Sequence, residues 1–389
     1  MYFVGIDISK YKHDCFIATE AGEIIRQNLT FQNNHEGFAH LLQILDSFDH
    51  SQAIRIGFEA TGHYGLNLKL FLEKAHYSFM EVNPALLSKY LKGQTLRKTK
   101  TDAIDSRSIA HWLMSVEYKP HPKEFYHMYS LKSLTRLRDS LVKQRSFYMV
   151  KITNVLDHIF PEFKPFFNDR FSVTALYILN KYHSPQAIAK MRSGSYDELR
   201  RMSRGKFTMS RFFQLKDLAG NSVGESNEIL ESQLSSLLEL YFSLDVQVEK
   251  LESQITQLVS GLDRPIMSIV GVGPLSAAVI LSEFGSISRF SSPAQMLSFA
   301  GLEPGYYQSG MSEHGGRMVK RGSSHLRFTL MNVCVPLIKH NVVFSEYYHK
   351  KRSESKPHRV AMSHVAKKLV RIIYTLETRN ILFDPEQLR

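Results

Sequence analysis

The sequence predicts an α/β domain at the N-terminus, then long helices, then a mostly helical C-terminal region. Three observations carry this division. Over the first 120 or so residues, short apolar runs first follow one another and then alternate with helical patterns. Apolar residues recur at helical spacing over 131–159 and again over 230–258. Beyond Leu262 the text becomes Ala-rich and helical, interrupted by a Gly-rich stretch from Gly301 to Gly322.

The opening FVGIDIS is an apolar run with an acid inside it, followed by FIATE and, after the Ala21-Gly22 turn, by IIRQNLTF. These read as strands joined by hairpins. A helical pattern runs from Glu36 to Phe48, then come the strand IRIGFEA, a helix from about Leu66 to Ala75, the strand SFMEVN and a helix beginning near Asp102. Leu131, Leu134, Leu141, Tyr148, Ile152, Val155 and Ile159 mark a long helix. Leu230, Leu234, Leu237, Tyr241, Leu244, Val248, Leu251, Ile255 and Leu258 step by four and three, a heptad seam about 42 Å long at 1.5 Å per residue. Either the 131–159 helix or a second copy of the chain would cover it. The expected segments are 1–125 (α/β), 126–262 (helical and coiled coil) and 263–389 (mostly α).

The chain has 389 residues, 43% hydrophobic and 22% charged, which fits ordered cores and excludes extended disorder. Lys+Arg 49 against Asp+Glu 37 gives a formal charge of +12, which favours a polyanionic partner such as nucleic acid. Cys15 and Cys334 are too few for a disulfide framework or a Cys-rich zinc site. No apolar run approaches the roughly 18 residues that span a bilayer, so a cytosolic protein without membrane contact is expected.

Four acids stand out. Asp7 sits inside an apolar strand, where a charge is costly unless it is paired or meets a cation. Glu59 ends the strand IRIGFEA, and Asp102 and Asp105 lie three apart at a helix start, on one face. Hard oxygen donors without Cys or His suit Mg²⁺ or Mn²⁺, and such ions serve phosphoryl transfer.

Basic residues gather in three places. Lys98 and Lys100 precede the Asp102/Asp105 pair, Arg201 and Arg204 stand among Tyr196, Phe207, Phe212 and Phe213, and Lys350, Lys351, Arg352, Lys356, Arg359, Lys367, Lys368 and Arg371 load the C-terminal region. The middle group has a composition suited to stacking on unpaired bases. In IVGVGPLSAAVILSEFG, Gly271 and Gly273 allow a sharp turn and close approach to a ligand, as in the helix-hairpin-helix module that contacts nucleic-acid phosphates. The stretch GLEPGYYQSGMSEHGGRMVKRGSSHLR reads as a flexible loop whose hydroxyls and Arg317, Lys320, Arg321 and Arg327 can reach a phosphodiester.

GIDIS with Asp7, FEATGHY with Glu59, VNPALLSKY and KTKTDAIDSRSIA resemble the RuvC-like, ribonuclease-H-fold domain of the DEDD insertion-sequence transposases, relatives of the Piv DNA invertase. VGVGPLSAAVILSEFG, FAGLEPGYYQSG and KRGSSHLR resemble that family's second domain, in the family's order. The resemblance implies transposition by DNA strand exchange, with Mg²⁺ held by Asp7, Glu59, Asp102 and Asp105. It also implies that a serine of the C-terminal domain forms a covalent phosphoserine link to DNA. The Ser-Gly pair after the aromatics places that serine at Ser309, with Ser312 second; family members often carry Ser where this chain has Val319. The implied partners are double-stranded DNA of element ends and target, a structured noncoding guide RNA and further copies of the chain in a dimer or tetramer. Two other readings remain open: a metal-dependent endonuclease or junction resolvase using water, and a binding scaffold without activity.

Overall fold

The computed structural model describes residues 1–60, 62–94, 102–121, 125–309 and 312–386. It divides into two compact units, Met1–Tyr126 and His127–Arg389.

The first unit contains β1 (Tyr2–Ile8), β2 (Lys12–Thr19), β3 (Ile24–Gln32), α1 (His35–Asp46), β4 (Ile54–Glu59), α2 (Leu66–Lys74), β5 (Phe79–Val82), α3 (Pro84–Gln94) and α4 (Asp102–Ser115). The strands form one sheet in the order β3-β2-β1-β4-β5. β1, β2 and β3 are antiparallel, whereas β4 lies parallel to β1 and β5 parallel to β4. This mixed sheet is the ribonuclease-H-like arrangement that the sequence predicts. It follows from short turns after β1 and β2 and from helical crossovers before β4 and β5.

Both faces of the sheet are covered, which is why its central strands read as apolar runs rather than as alternation. Val4, Ile6, Ile17, Ile56 and Phe58 pack with Phe38, Leu41, Leu45, Leu68 and Leu72 of α1 and α2. On the other face Phe3 and Val82 join Leu87, Ile109, Trp112 and Leu113 of α3 and α4, while Phe16 and Ala18 meet Ala110.

The second unit is built on two long helices, α5 (Phe125–Ile159) and, after five shorter ones, α11 (Glu228–Ser260). The short helices are α6 (Phe163–Phe166), α7 (Val173–Lys181), α8 (Pro185–Ala189), α9 (Ser193–Met202) and α10 (Met209–Gly220). After α11 come α12 (Pro274–Phe284), α13 (Pro293–Ala300), an antiparallel ribbon of β6 (Pro304–Ser309) and β7 (Ser312–Met318), and then α14 (Ser324–His340), α15 (Val342–Ser353) and α16 (His358–Arg379). Two cores hold the unit. One joins the end of α5 and the start of α11 to the short helices, through Ile152, Phe160, Phe163, Leu215, Leu234 and Leu238. The other gathers α12 to α16 around Ile255, Phe284, Leu330, Val365 and Leu369.

Of the two ways to cover the heptad seam, α5 of the same chain supplies one. Arg138 pairs with Glu252 and Arg145 with Asp245, seven residues apart on each helix and in opposite order, so the helices run antiparallel. The seam's Leu234, Tyr241, Val248 and Ile255 are buried, whereas Leu258 is 46% exposed.

Three expectations are corrected. The Gly-rich stretch after Gly301 is a β-ribbon rather than a loop. Phe207 and Phe212 are core residues, so of the aromatics expected to stack on bases only Phe213 stands well exposed. The turn before α12 is entered by a four-residue 3₁₀ helix, Pro265–Ser268, in place of a full first helix of a helix-hairpin-helix.

Candidate active site

The carboxylates owe their placement to two glycines. A Cβ on Gly5 would collide with the backbone oxygen of Ser106 and lie 2.5 Å from Ala110 N, and one on Gly57 would lie 2.8 Å from both methyl carbons of Leu113. Gly5 and Gly57 are register partners, so α4 crosses the sheet over this pair. Side chains two residues apart on a strand share a face. Asp7 and Glu59, each two residues beyond a glycine, therefore lie on the α4 face of neighbouring strands, one step past the last registered pair, Ile6 and Phe58. Neighbouring strands lie about 4.8 Å apart.

α4 runs antiparallel to β1: Ser106 and Ala110 lie over Gly5, while Ile109, Trp112 and Leu113 pack with Phe3. Following β1 forward to Asp7 therefore leads back along α4 to its first turn, where Asp102 and Asp105 sit. The fold brings Asp7, Glu59 and the start of α4 to one end of one sheet face. The Asp102 side chain lies outside the described residues. Asp7, Glu59 and Asp105 are half-buried.

Asp14 escaped the sequence reading. It is the register partner of Asp7 across β1 and β2 and shares its face with Phe16, which packs on α4. Its carboxylate accepts a hydrogen bond from Thr30 Oγ1 at 2.6 Å and lies 3.4 Å from Lys12 Nζ. The signal was available in HDCFIAT, where His13, Cys15 and Ile17 form one buried set and Asp14 and Phe16 the alternate one.

Among the described residues no group of three or more His, Cys, Asp or Glu side chains is gathered closely enough to hold a metal ion. The donor chemistry still suits one class of ion: a carboxylate-only set at the start of a helix fits a hard divalent cation.

In the second unit Ser309 ends β6 and Ser312 begins β7, and the two are register partners. Both serines thus flank the tip of the ribbon; their side chains, and that of Arg317, lie outside the described residues. Lys320 and Arg321 follow the ribbon and are exposed, while Arg327 of α14 donates from Nη1 to the carbonyl of Lys320 at 3.2 Å. Gly271 has φ +104 and packs its Cα side against Leu337, where a Cβ would lie 3.0 Å from the Leu337 Cα. Its close approach is to α14, whereas Gly273, the N-cap of α12, is exposed and faces open space.

Arg201 and Arg204 are exposed at the end of α9 and line a depression of about 380 Å³ with Arg200 and Asp197. Arg211 is committed internally, donating to Phe166 O at 2.8 Å. Lys98 and Lys100 lie outside the described residues. Among the described residues no single helix is long and apolar enough to cross a membrane.

Two family models match, in the order expected. A transposase model of the IS110 DEDD type covers residues 4–161, and a model described as transposase, IS116/IS110/IS902 family, covers 263–349. The chain is 22% identical to the uncharacterized 44.8 kDa protein of insertion element IS116 from Streptomyces clavuligerus, over 98% of this chain and 96% of that one. It is 24% identical to the pilin gene-inverting protein of Moraxella bovis, over 98% and 97%. The uncharacterized 43.6 kDa protein of IS110 from Streptomyces coelicolor is 24% identical over 74% of this chain and 75% of its own. With both domains matched in sequence order and relatives aligned over nearly the whole chain, the chain belongs to the IS110/IS116 family of insertion-sequence transposases, enzymes that recombine DNA.

Proposed function

We propose that this transposase cuts and rejoins DNA strands through a covalent phosphoserine at Ser309, with Asp7, Glu59, Asp102 and Asp105 holding Mg²⁺, or Mn²⁺ in its place. The observation that carries the reading is the convergence of two strand acids and the start of α4 at one end of one sheet face, forced by the Gly5/Gly57 pair. Two neighbouring carboxylates on one face repel each other, and a divalent cation relieves that repulsion. Bound there, the cation supplies charge neutralisation at the scissile phosphate.

The residues of the chain do the rest. The Oγ of Ser309 forms a bond to phosphorus as the bond from phosphorus to one sugar oxygen breaks. The serine gives up its proton and the departing sugar oxygen gains one. The phosphodiester energy is retained in the enzyme link for the later joining step, in which a second strand's hydroxyl displaces the serine. Lys320, Arg321, Arg317, Lys98, Lys100, Arg201, Arg204 and the amides of the Gly271–Gly273 turn contribute phosphate contacts. Joining two duplexes needs more than one active site, so the working form is a homo-oligomer, a dimer or tetramer. The family resemblance adds a structured noncoding guide RNA as partner.

Cleavage of element-end DNA with Mg²⁺ and co-purified RNA tests the reading. Asp7→Asn and Ser309→Ala are each expected to abolish cutting, as is ribonuclease treatment. Cutting that survives Ser309→Ala but not Asp7→Asn would instead identify a water-using endonuclease or resolvase.

A further inference from the structure

The ribbon that carries Ser309 joins the helical core through a narrow neck, and the neck is built from backbone. The incoming segment runs from Phe299 to Glu303 and the outgoing one from Val319 to Ser323. Beyond the last strand pair, Pro304 and Met318, the Val319 N–H donates to Glu303 O at 3.0 Å. Gly301 and Gly322 have φ +67 and +98. A Cβ on Gly301 would overlap Arg321 O, and one on Gly322 would overlap Phe299 O. The two segments cross with no room for a side chain at either glycine.

Arg327, fourth residue of α14, closes this crossing. Its Nη1 lies 2.8 Å from the position a Gly301 Cβ would take and donates to Lys320 O at 3.2 Å. Lys320 is held at φ +55, a left-handed conformation that a non-glycine residue adopts at a cost. The neck is also fixed on its core side: Ser323 caps α14 by accepting from Leu326 N at 3.2 Å and hydrogen-bonds the carboxylate of Glu283. Glu283 is 2% exposed and takes two hydrogen bonds from Arg136, at 2.7 and 3.1 Å.

We propose that Arg327 is a positioning residue, which aims the serine ribbon by locking its neck rather than by contacting nucleic acid. The proposal rests on the reading of Ser309 as the nucleophile. A two-stranded ribbon has little stability of its own, so its direction is set where it is rooted. Ser309 stands five residues beyond Pro304, about 17 Å along the strand. A tilt of about 5° at the neck would move it by roughly 1.5 Å, and misplacement of about 1 Å can slow a reaction about a hundredfold.

The experiment compares full-length wild type with Arg327→Lys, which keeps the charge but loses the planar fork, and with Arg327→Ala. Three quantities are read: affinity for labelled element-end DNA as a function of salt, the single-turnover rate of serine adduct formation at saturating DNA, and hydrogen exchange of the Val319 amide. The expected result is an unchanged affinity and salt slope in Arg327→Lys, an adduct rate lower by about ten- to a hundredfold, and faster exchange at Val319. A full adduct rate at saturation in both variants, with the salt slope reduced by about one in Arg327→Ala, would make Arg327 a phosphate contact and overturn the proposal. Absence of any adduct in the wild type would contradict the Ser309 reading itself, and the aiming role with it.

Discussion

Gly5 of β1 and Gly57 of β4 face each other in register, and α4 crosses both. The two contacts differ in kind. Gly5 meets the backbone of Ser106 and Ala110, which cannot yield without moving the helix, whereas Gly57 meets the end of the Leu113 side chain. Gly5→Ala is therefore expected to cost about 3 kcal/mol and Gly57→Ala about 1 kcal/mol, as read from urea midpoints. Equal or reversed costs would mean that α4 does not rest on the sheet as described.

Glu283 supports the neck of the serine ribbon from inside the helical core. Burial opposes its ionisation, but hydrogen bonds from Arg136 and Ser323 and the charges of Lys132 and Arg136 outweigh that, holding the carboxyl below its ordinary range. A carboxyl with a depressed folded pKa contributes stability above its unfolded value of 4.5, and that contribution is lost as pH falls through the folded value. Glu283→Gln leaves two cations without their partner and is expected to cost about 3 kcal/mol at neutral pH. The loss relative to wild type should shrink below pH 4.5; a constant difference down to strong acid would contradict the pairing.

His13 is fully buried between Phe31 and Phe38 on the sheet face away from Asp7. Desolvation lowers its pKa from 6.5, against smaller opposing effects of Asn33 and Asp14, so the ring is neutral in the fold and takes up a proton on unfolding in acid. The unfolded chain then binds more protons, and stability falls as pH drops below 6.5, by at most about 1.4 kcal/mol per unit from this group. In His13→Leu the slope of stability between pH 6.5 and pH 5 should be smaller than in the wild type. An unchanged slope would assign the acid sensitivity elsewhere.

The sheet and its acids were legible because a charge inside an apolar run, as with Asp7 in FVGIDIS, has few structural explanations. Asp102 and Asp105 were legible as the first turn of α4 for a similar reason, since acids favour helix starts. The ribbon was not legible, because Gly305, Gly310, Gly315 and Gly316 hide the alternation that marks a strand. Composition also misled around Arg204: an aromatic beside arginines looks like a stacking platform, yet Phe207 and Phe212 fill the core beneath the short helices. The covering of the heptad seam could be settled only by the charges that line it, Arg138 with Glu252 and Arg145 with Asp245. The pairing of Asp14 with Asp7 depends on strand register, which single-strand patterns do not contain.

Ser309 and Ser312 are register partners at the tip of the ribbon, so the choice between them is the most direct test of the mechanism. Wild type, Ser309→Ala and Ser312→Ala would be incubated with labelled element-end DNA, co-purified RNA and Mg²⁺, denatured in detergent, and examined for a protein–DNA adduct with its attachment site mapped by mass spectrometry. The account predicts an adduct in the wild type and in Ser312→Ala, mapped to Ser309, and none in Ser309→Ala. Cleaved DNA without any adduct in the wild type would contradict it and assign the chemistry to the carboxylates and water.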